Sequence, residues 1–246
     1  MNLERPAFKT PEQKTEDLEV KCIDGTRDKV NFPTTPELLK AIGKCERVTY
    51  PEKRLGLPSN GGFSGFIETG VFQVFKEFPV VKYSELHGPV FSKIRDLLYQ
   101  SYPRMMGQRI YYVETNHWVC ITVDLTGGVD PKQSQDDPKS YLLRSELLEV
   151  FSIFYCQMNE MTWNSRIEKY KPTFRYKEGF LMATVMTFMY GKVRVIQASL
   201  KPSETYPVLT FTLRGIYDLN AEKYDKEVAY TLIQWILSPP KPAEVD

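Results

Sequence analysis

Between residues 180 and 200 the chain carries two strand-like segments, 180–190 and 193–200, that meet across Gly191-Lys192, and apolar side chains fall on both faces of the pair. A hairpin with one wet face alternates apolar and polar residues, whereas one with two apolar faces must be covered above and below. The pair is therefore expected at the centre of a sheet with further structure packed on each side.

The rest of the chain supplies candidates for that cover and for the neighbouring strands. Leu18, Val20 and Cys22, then Val30 and Phe32, alternate around Asp24-Gly25 and predict a short hairpin. Thr35 followed by Pro36 opens a helix through Leu38, Leu39 and Ile42 that Gly43 closes. Prolines and glycines crowd residues 50–65 and mark a loop or boundary. An aromatic and β-branched run from Phe63 to Val80, with Ile67, Val71, Phe72 and Val74, predicts one or two strands. After Gly88-Pro89 the spacing of Val90, Phe91, Ile94, Leu97 and Leu98 predicts a helix that Pro103 ends. Two strands follow, Ile110 to Tyr112 and Trp118 to Val123, and then a polar loop over 127–139. Asp137-Pro138 opens a helix striped by Leu143, Leu147, Val150, Phe151 and Phe154, which leads into a connection containing Met and Trp. Residues 207–217 are another β-rich run, and Asn220 caps a last helix striped by Tyr224, Val228, Leu232, Trp235 and Ile236, stopped at Ser238-Pro239-Pro240. The expected fold is α+β: a mostly antiparallel β-sheet core with three to four amphipathic helices and extended N- and C-terminal arms. Residues 1–17 form the arm, 18–237 a single domain with a candidate sub-boundary in the loop 50–65, and 238–246 the tail.

Chemistry-bearing residues are sparse. The 246 residues include two histidines, His87 and His117, and four cysteines, Cys22, Cys45, Cys120 and Cys156, with neither C-x-x-C spacing nor a histidine at zinc-finger distance. All four thiols are expected to be small buried groups. Gly61-Gly62-Phe63-Ser64-Gly65 lacks the Gly-Lys-Ser/Thr ending of a phosphate loop and the spacing of a nucleophile elbow, so it reads as a turn. His117 has Glu114, Cys120 and Asp124 nearby in sequence, yet residues three apart in a strand project to opposite faces, which separates His117 from Cys120. Glu146 with Glu149, and Asp136 with Asp137, are read as solvated charges on a helix flank and in a loop. Tyr111, Tyr112 and Trp118 are read as core packing rather than a base-stacking platform, since the flanking basic residues and glycine-aromatic signature of an RNA-binding sheet are missing. No catalytic, cofactor-binding or metal residue is expected, and no cofactor.

Lys plus Arg number 32 against 31 Asp plus Glu, a net charge of +1, and the densest basic stretch, Lys169-Tyr170-Lys171 with Arg175 and Lys177, is interrupted by Glu168 and Glu178. Nucleic acid is not an expected partner. No apolar run is long enough for a transmembrane segment, and no secretory leader or glycosylation sequon is found, so a cytoplasmic chain is expected, in the cytoplasm or nucleus of a host cell if viral. A net charge this close to zero removes the repulsion that keeps copies apart. The expected function is a non-enzymatic, self-assembling structural protein of viral occlusion-body, capsid or matrix type, whose partner is itself, in a homo-oligomer or lattice, alongside other virion proteins. The alternative is a cytosolic protein–protein interaction or adaptor module, with nucleic-acid binding behind it.

Overall fold

The computed structural model describes residues 19–32, 35–44, 67, 69–72, 74, 82–84, 105–114, 116–124, 141–164, 169–174, 180–189, 191–204, 206–218 and 225–240. Among them are the strands β1 (Glu19–Asp24), β2 (Lys82–Ser84), β3 (Met105–Glu114), β4 (His117–Asp124), β5 (Asn159–Asn164), β6 (Lys169–Phe174), β7 (Leu181–Met189), β8 (Lys192–Leu200) and β9 (Val208–Asp218). The helices with defined limits are α1 (Pro36–Gly43), α2 (Arg144–Met158) and α3 (Lys226–Leu237). Seven strands form one sheet in the order β1-β9-β8-β7-β4-β3-β2, and β5 pairs with β6 in a separate ribbon.

The fold is α+β with a mostly antiparallel sheet, as expected, although two of its pairings, β4 with β7 and β1 with β9, are parallel. Two antiparallel meanders, β2-β3-β4 and β7-β8-β9, lie side by side because β4 and β7 pair in parallel. A parallel pair needs a long return connection, and α2 with the β5-β6 ribbon lies within it. β1 also pairs in parallel, with β9, so the expected hairpin around Asp24-Gly25 is absent. Its turn residues act differently: Asp24 Oδ1 accepts from the Thr26 amide and hydroxyl, and the Gly25 amide donates to the Leu213 carbonyl of β9. A Cβ at Gly25 would stand 2.7 Å from Thr212 Cγ2, so only glycine lets the turn approach β9 this closely.

The central hairpin is where the sequence placed it. Gly191 takes φ 67°, and β7 is buried along its length up to Met189. Each face of the sheet has its own core. On the first, Val119, Ile121, Met186, Phe188, Val193 and Val195 pack with Ala41 and Ile42 of α1, with Ile67, Val71 and Val74, and with Leu232, Trp235 and Ile236 of α3. On the second, Cys120, Ala183, Val185, Ile196, Ala198 and Phe211 pack with Val150, Ile153 and Phe154 of α2.

Three expectations are corrected here. Residues 67, 69–72 and 74 are helical rather than extended, and the buried Ile67, Val71 and Val74 lie four and three residues apart, the spacing of one helix face. The connection after α2 contains the β5-β6 ribbon. The last helix is capped by Asp225, whose side chain accepts from the Glu227 amide, rather than by Asn220. Thr35 does cap α1, accepting from the Leu38 amide at 3.2 Å. The helix expected over 90–98, the loops 50–65 and 127–139, and the arm 1–17 lie outside the described residues. Of the tail, Ser238 is buried and the Pro240 carbonyl accepts from Gln197 Nε2 at 2.6 Å, so its first residues dock on the sheet.

Trp235 anchors the first core: it meets Phe32 edge to face at 5.1 Å, and its indole N–H donates to the Tyr217 hydroxyl at 3.0 Å. Trp235→Ala should therefore lower the unfolding free energy by about 3–5 kcal/mol, read from urea denaturation.

Candidate functional site

The described interior contains far more charge than the composition alone suggests. Asp124, Glu146, Glu149 and Arg194 are all at most 3% exposed. Arg194 lies on β8 within the two-sided hairpin, on the α2 side of the sheet. Its Nε donates to Glu146 Oε1 at 2.8 Å, and one Nη donates to the Tyr141 carbonyl at 2.9 Å, while the Tyr141 ring stacks over the guanidinium at 5.4 Å. Glu146 also turns back to accept from the Leu143 amide at 2.8 Å, which satisfies a backbone donor at the start of α2. Beside it the Ser145 hydroxyl donates to Asp124, the last residue of β4. One carboxylate thus neutralises Arg194 and caps the helix that bridges β4 and β7. Burial raises the Glu146 carboxyl above the usual range; Arg194 pulls it back down and nearby Asp124 adds to the rise.

One turn further along α2, Glu149 faces the same side of the sheet and accepts from Cys120 Sγ at 3.5 Å. Burial pushes its carboxyl up to about 7, with the thiol hydrogen bond opposing. The expectation that Glu146 and Glu149 are solvated charges is therefore overturned. α2 is a crossover helix pressed onto the sheet, and its acidic residues lie on the face that turns inward.

A second polar row crosses the opposite face. His117 Nε2 and the Thr184 hydroxyl lie 2.9 Å apart, Gln197 Nε2 donates to the same hydroxyl at 3.3 Å, Arg214 Nε donates to Gln197 Oε1 at 2.8 Å, and Arg214 pairs with Asp28 at 3.2 Å. The row runs over β4, β7, β8 and β9 and includes the tail through Pro240. His117 and Cys120 stand on opposite faces of β4, as strand alternation requires. Glu114 registers opposite His117 but is exposed, and Asp124 lies at the far end of the strand. The four residues therefore form no common site.

The aromatic residues do not form one exposed platform: Tyr111 is fully buried in the first core, while Tyr112 and Trp118 meet edge to face at 4.5 Å beside the second. Among the cysteines, Cys120 is buried, Cys156 is half-buried with its thiol pushed up to about 11 by burial, and Cys22 is exposed, contrary to expectation. Cys22 is exposed because β1 is an edge strand whose six residues all face solvent. Cys45, His87, the cluster Gly61 to Gly65, Asp136, Asp137, Glu168, Arg175, Lys177 and Glu178 lie outside the described residues, and Lys169, Tyr170 and Lys171 lie on β6.

Among the described residues no group of three or more His, Cys, Asp or Glu side chains is arranged to hold a metal ion, and no helix is long and apolar enough to cross a membrane. The Thr187 hydroxyl, fully buried and flanked in register by Thr122 and Arg194, makes no hydrogen bond. The sequence reading missed the Arg194–Glu146 pair, although a signal was present: an arginine inside a strand read as buried on both faces requires a buried carboxylate. No family model, curated protein or solved structure matches the chain.

Two outcomes follow from this interior. Arg194→Met strands a buried carboxylate and should cost about 3–5 kcal/mol, whereas the double variant Arg194→Met/Glu146→Leu should cost less than that single change, in urea denaturation. Glu149 has a raised folded-state pKa, so its stabilising contribution is complete below about pH 4.5 and is lost as pH rises through about 7. Glu149→Gln should remove that component, on the order of 3 kcal/mol between the two limits, from the pH dependence of unfolding.

Proposed function

We propose that this protein is a non-catalytic subunit that works by associating with further copies of itself. The observation that carries the reading is β1. It is the outermost strand of the seven, all six of its residues are exposed, and it includes neither proline nor glycine. Val20 is 49% and Ile23 38% exposed. Three of its six residues, Glu19, Lys21 and Asp24, are charged, yet the backbone groups that an outermost strand turns away from its sheet are a template for another strand. The buried polar side chains support the same reading: Glu146, Arg194, Gln197 and Arg214 are engaged in bonds that tie helix, tail and sheet together. The proposal covers association itself and not a viral setting, to which the fold adds nothing.

A second reading, an adaptor that docks a different protein, is favoured by α2, where Phe151 and Tyr155 lie four residues apart at 44% and 49% exposure. That spacing places both on one helix face, the arrangement used in helix-to-groove recognition.

Light scattering coupled to size-exclusion chromatography distinguishes the two. The wild-type chain should elute as a dimer or larger species, and Val20→Lys/Ile23→Lys should shift it towards monomer with an unchanged circular dichroism spectrum. A wild-type monomer at high concentration refutes self-association, and loss of the oligomer in Phe151→Ser/Tyr155→Ser but not in the β1 variant moves the contact to α2.

A further inference from the structure

The register of β1 on β9 determines which of its backbone groups face outward. Asp24 registers with Leu213, and the Gly25 amide donates to the Leu213 carbonyl at 2.9 Å. In a parallel ladder a residue directs its N–H and C=O to the same neighbouring strand, and successive residues alternate sides. Gly25, Ile23, Lys21 and Glu19 therefore face β9, and Val20, Cys22 and Asp24 direct their backbone groups away from it.

We propose that two copies join β1 to β1 in antiparallel register about a two-fold axis that passes beside Cys22, making one continuous sheet. The inference rests on the self-association reading and adds the geometry of the contact. Symmetry limits the choices: a two-fold perpendicular to an antiparallel pair places one residue directly opposite its own copy. On a strand of six residues, only Lys21 or Cys22 on the axis leaves five of them paired. With Lys21 on the axis the pair is of the non-hydrogen-bonded kind, whose Cα atoms approach to about 4.5 Å, and two ammonium groups face each other. With Cys22 on the axis the facing groups are small and neutral, and the outward N–H and C=O of Cys22 exchange two hydrogen bonds with the other copy. That register sets Lys21 against Ile23 of the other copy, so the lysine stem covers an exposed apolar side chain. It also brings the two Cys22 Cα atoms to about 5.5 Å, a separation that a thiol bridge spans.

The test uses the full chain and dibromobimane, a reagent that fluoresces strongly only after linking two neighbouring thiols. Fluorescent covalent dimer is expected from the wild type and is lost in Cys22→Ser, which also controls for the other cysteines. A second variant, Cys22→Ser/Lys21→Cys, reports the competing register and should give no link. If light scattering shows a dimer but only the Lys21→Cys variant links, or neither does, the Cys22-centred contact is overturned and self-association stands. If the wild type is a monomer and does not link, both fall.

Discussion

Burying Arg194 is the constraint on which much else in this fold depends. A guanidinium cannot lose its charge, so a β8 covered on both faces has to bring a carboxylate to it. Glu146 meets that need because α2 starts beside the end of β4 and packs mainly on β7 and β4, within reach of Arg194 on β8. The same carboxylate closes the first turn of α2, so the parallel β4-β7 pairing, the helix start and the charge compensation are one arrangement. Asp124 and Ser145 extend it by one hydrogen bond to the end of β4. Such a pair adds little net stability over a well-packed apolar substitute, but it penalises any register in which the two ions fail to meet.

The opposite face uses a different device at the other end of the strands. There the links are mostly neutral, running from His117 through Thr184 and Gln197 to Arg214, and the tail closes over them at Pro240. Polar groups in the middle of a sheet are tolerated when each is spent on a neighbour in the next strand. The described histidine is thus engaged in holding strands and tail in place, and Cys120 is sealed behind α2 on the other side.

Local pattern made the two-sided hairpin, the cap at Thr35 and the paired strands β3 and β4 legible in the sequence. Gly191 needs a positive φ, Thr35 precedes a proline at the first helical position, and Trp118 to Val123 is long and apolar. What was not legible depended on distant partners. Ile67, Val71 and Val74 are β-branched, and propensity pointed to a strand while their spacing already fitted a helix. Asp24-Gly25 has the composition of a hairpin turn, but β9, far away in the chain, offered β1 a better edge. Glu146 and Glu149 read as solvent-facing because a helix flank is usually wet; only the crossover between β4 and β7 turns that flank inward. The candidate contact at β1 was hidden for the same reason, since an edge is a property of the finished sheet.

The pairing of β1 with β9 also orders events in time. Glu19 lies against Val208, so the first described strand to be synthesised has to wait for the last before it finds its place. Closing so long a loop is slow compared with forming the local meanders, which places β1 among the late arrivals in folding. Until it docks, the exposed rim of the sheet is β9, which is longer and more apolar than β1. A nascent or partly folded chain therefore presents a more adhesive edge than the mature one, and on the ribosome the N-terminal strand is kept apart from its partner until the rest of the sheet exists.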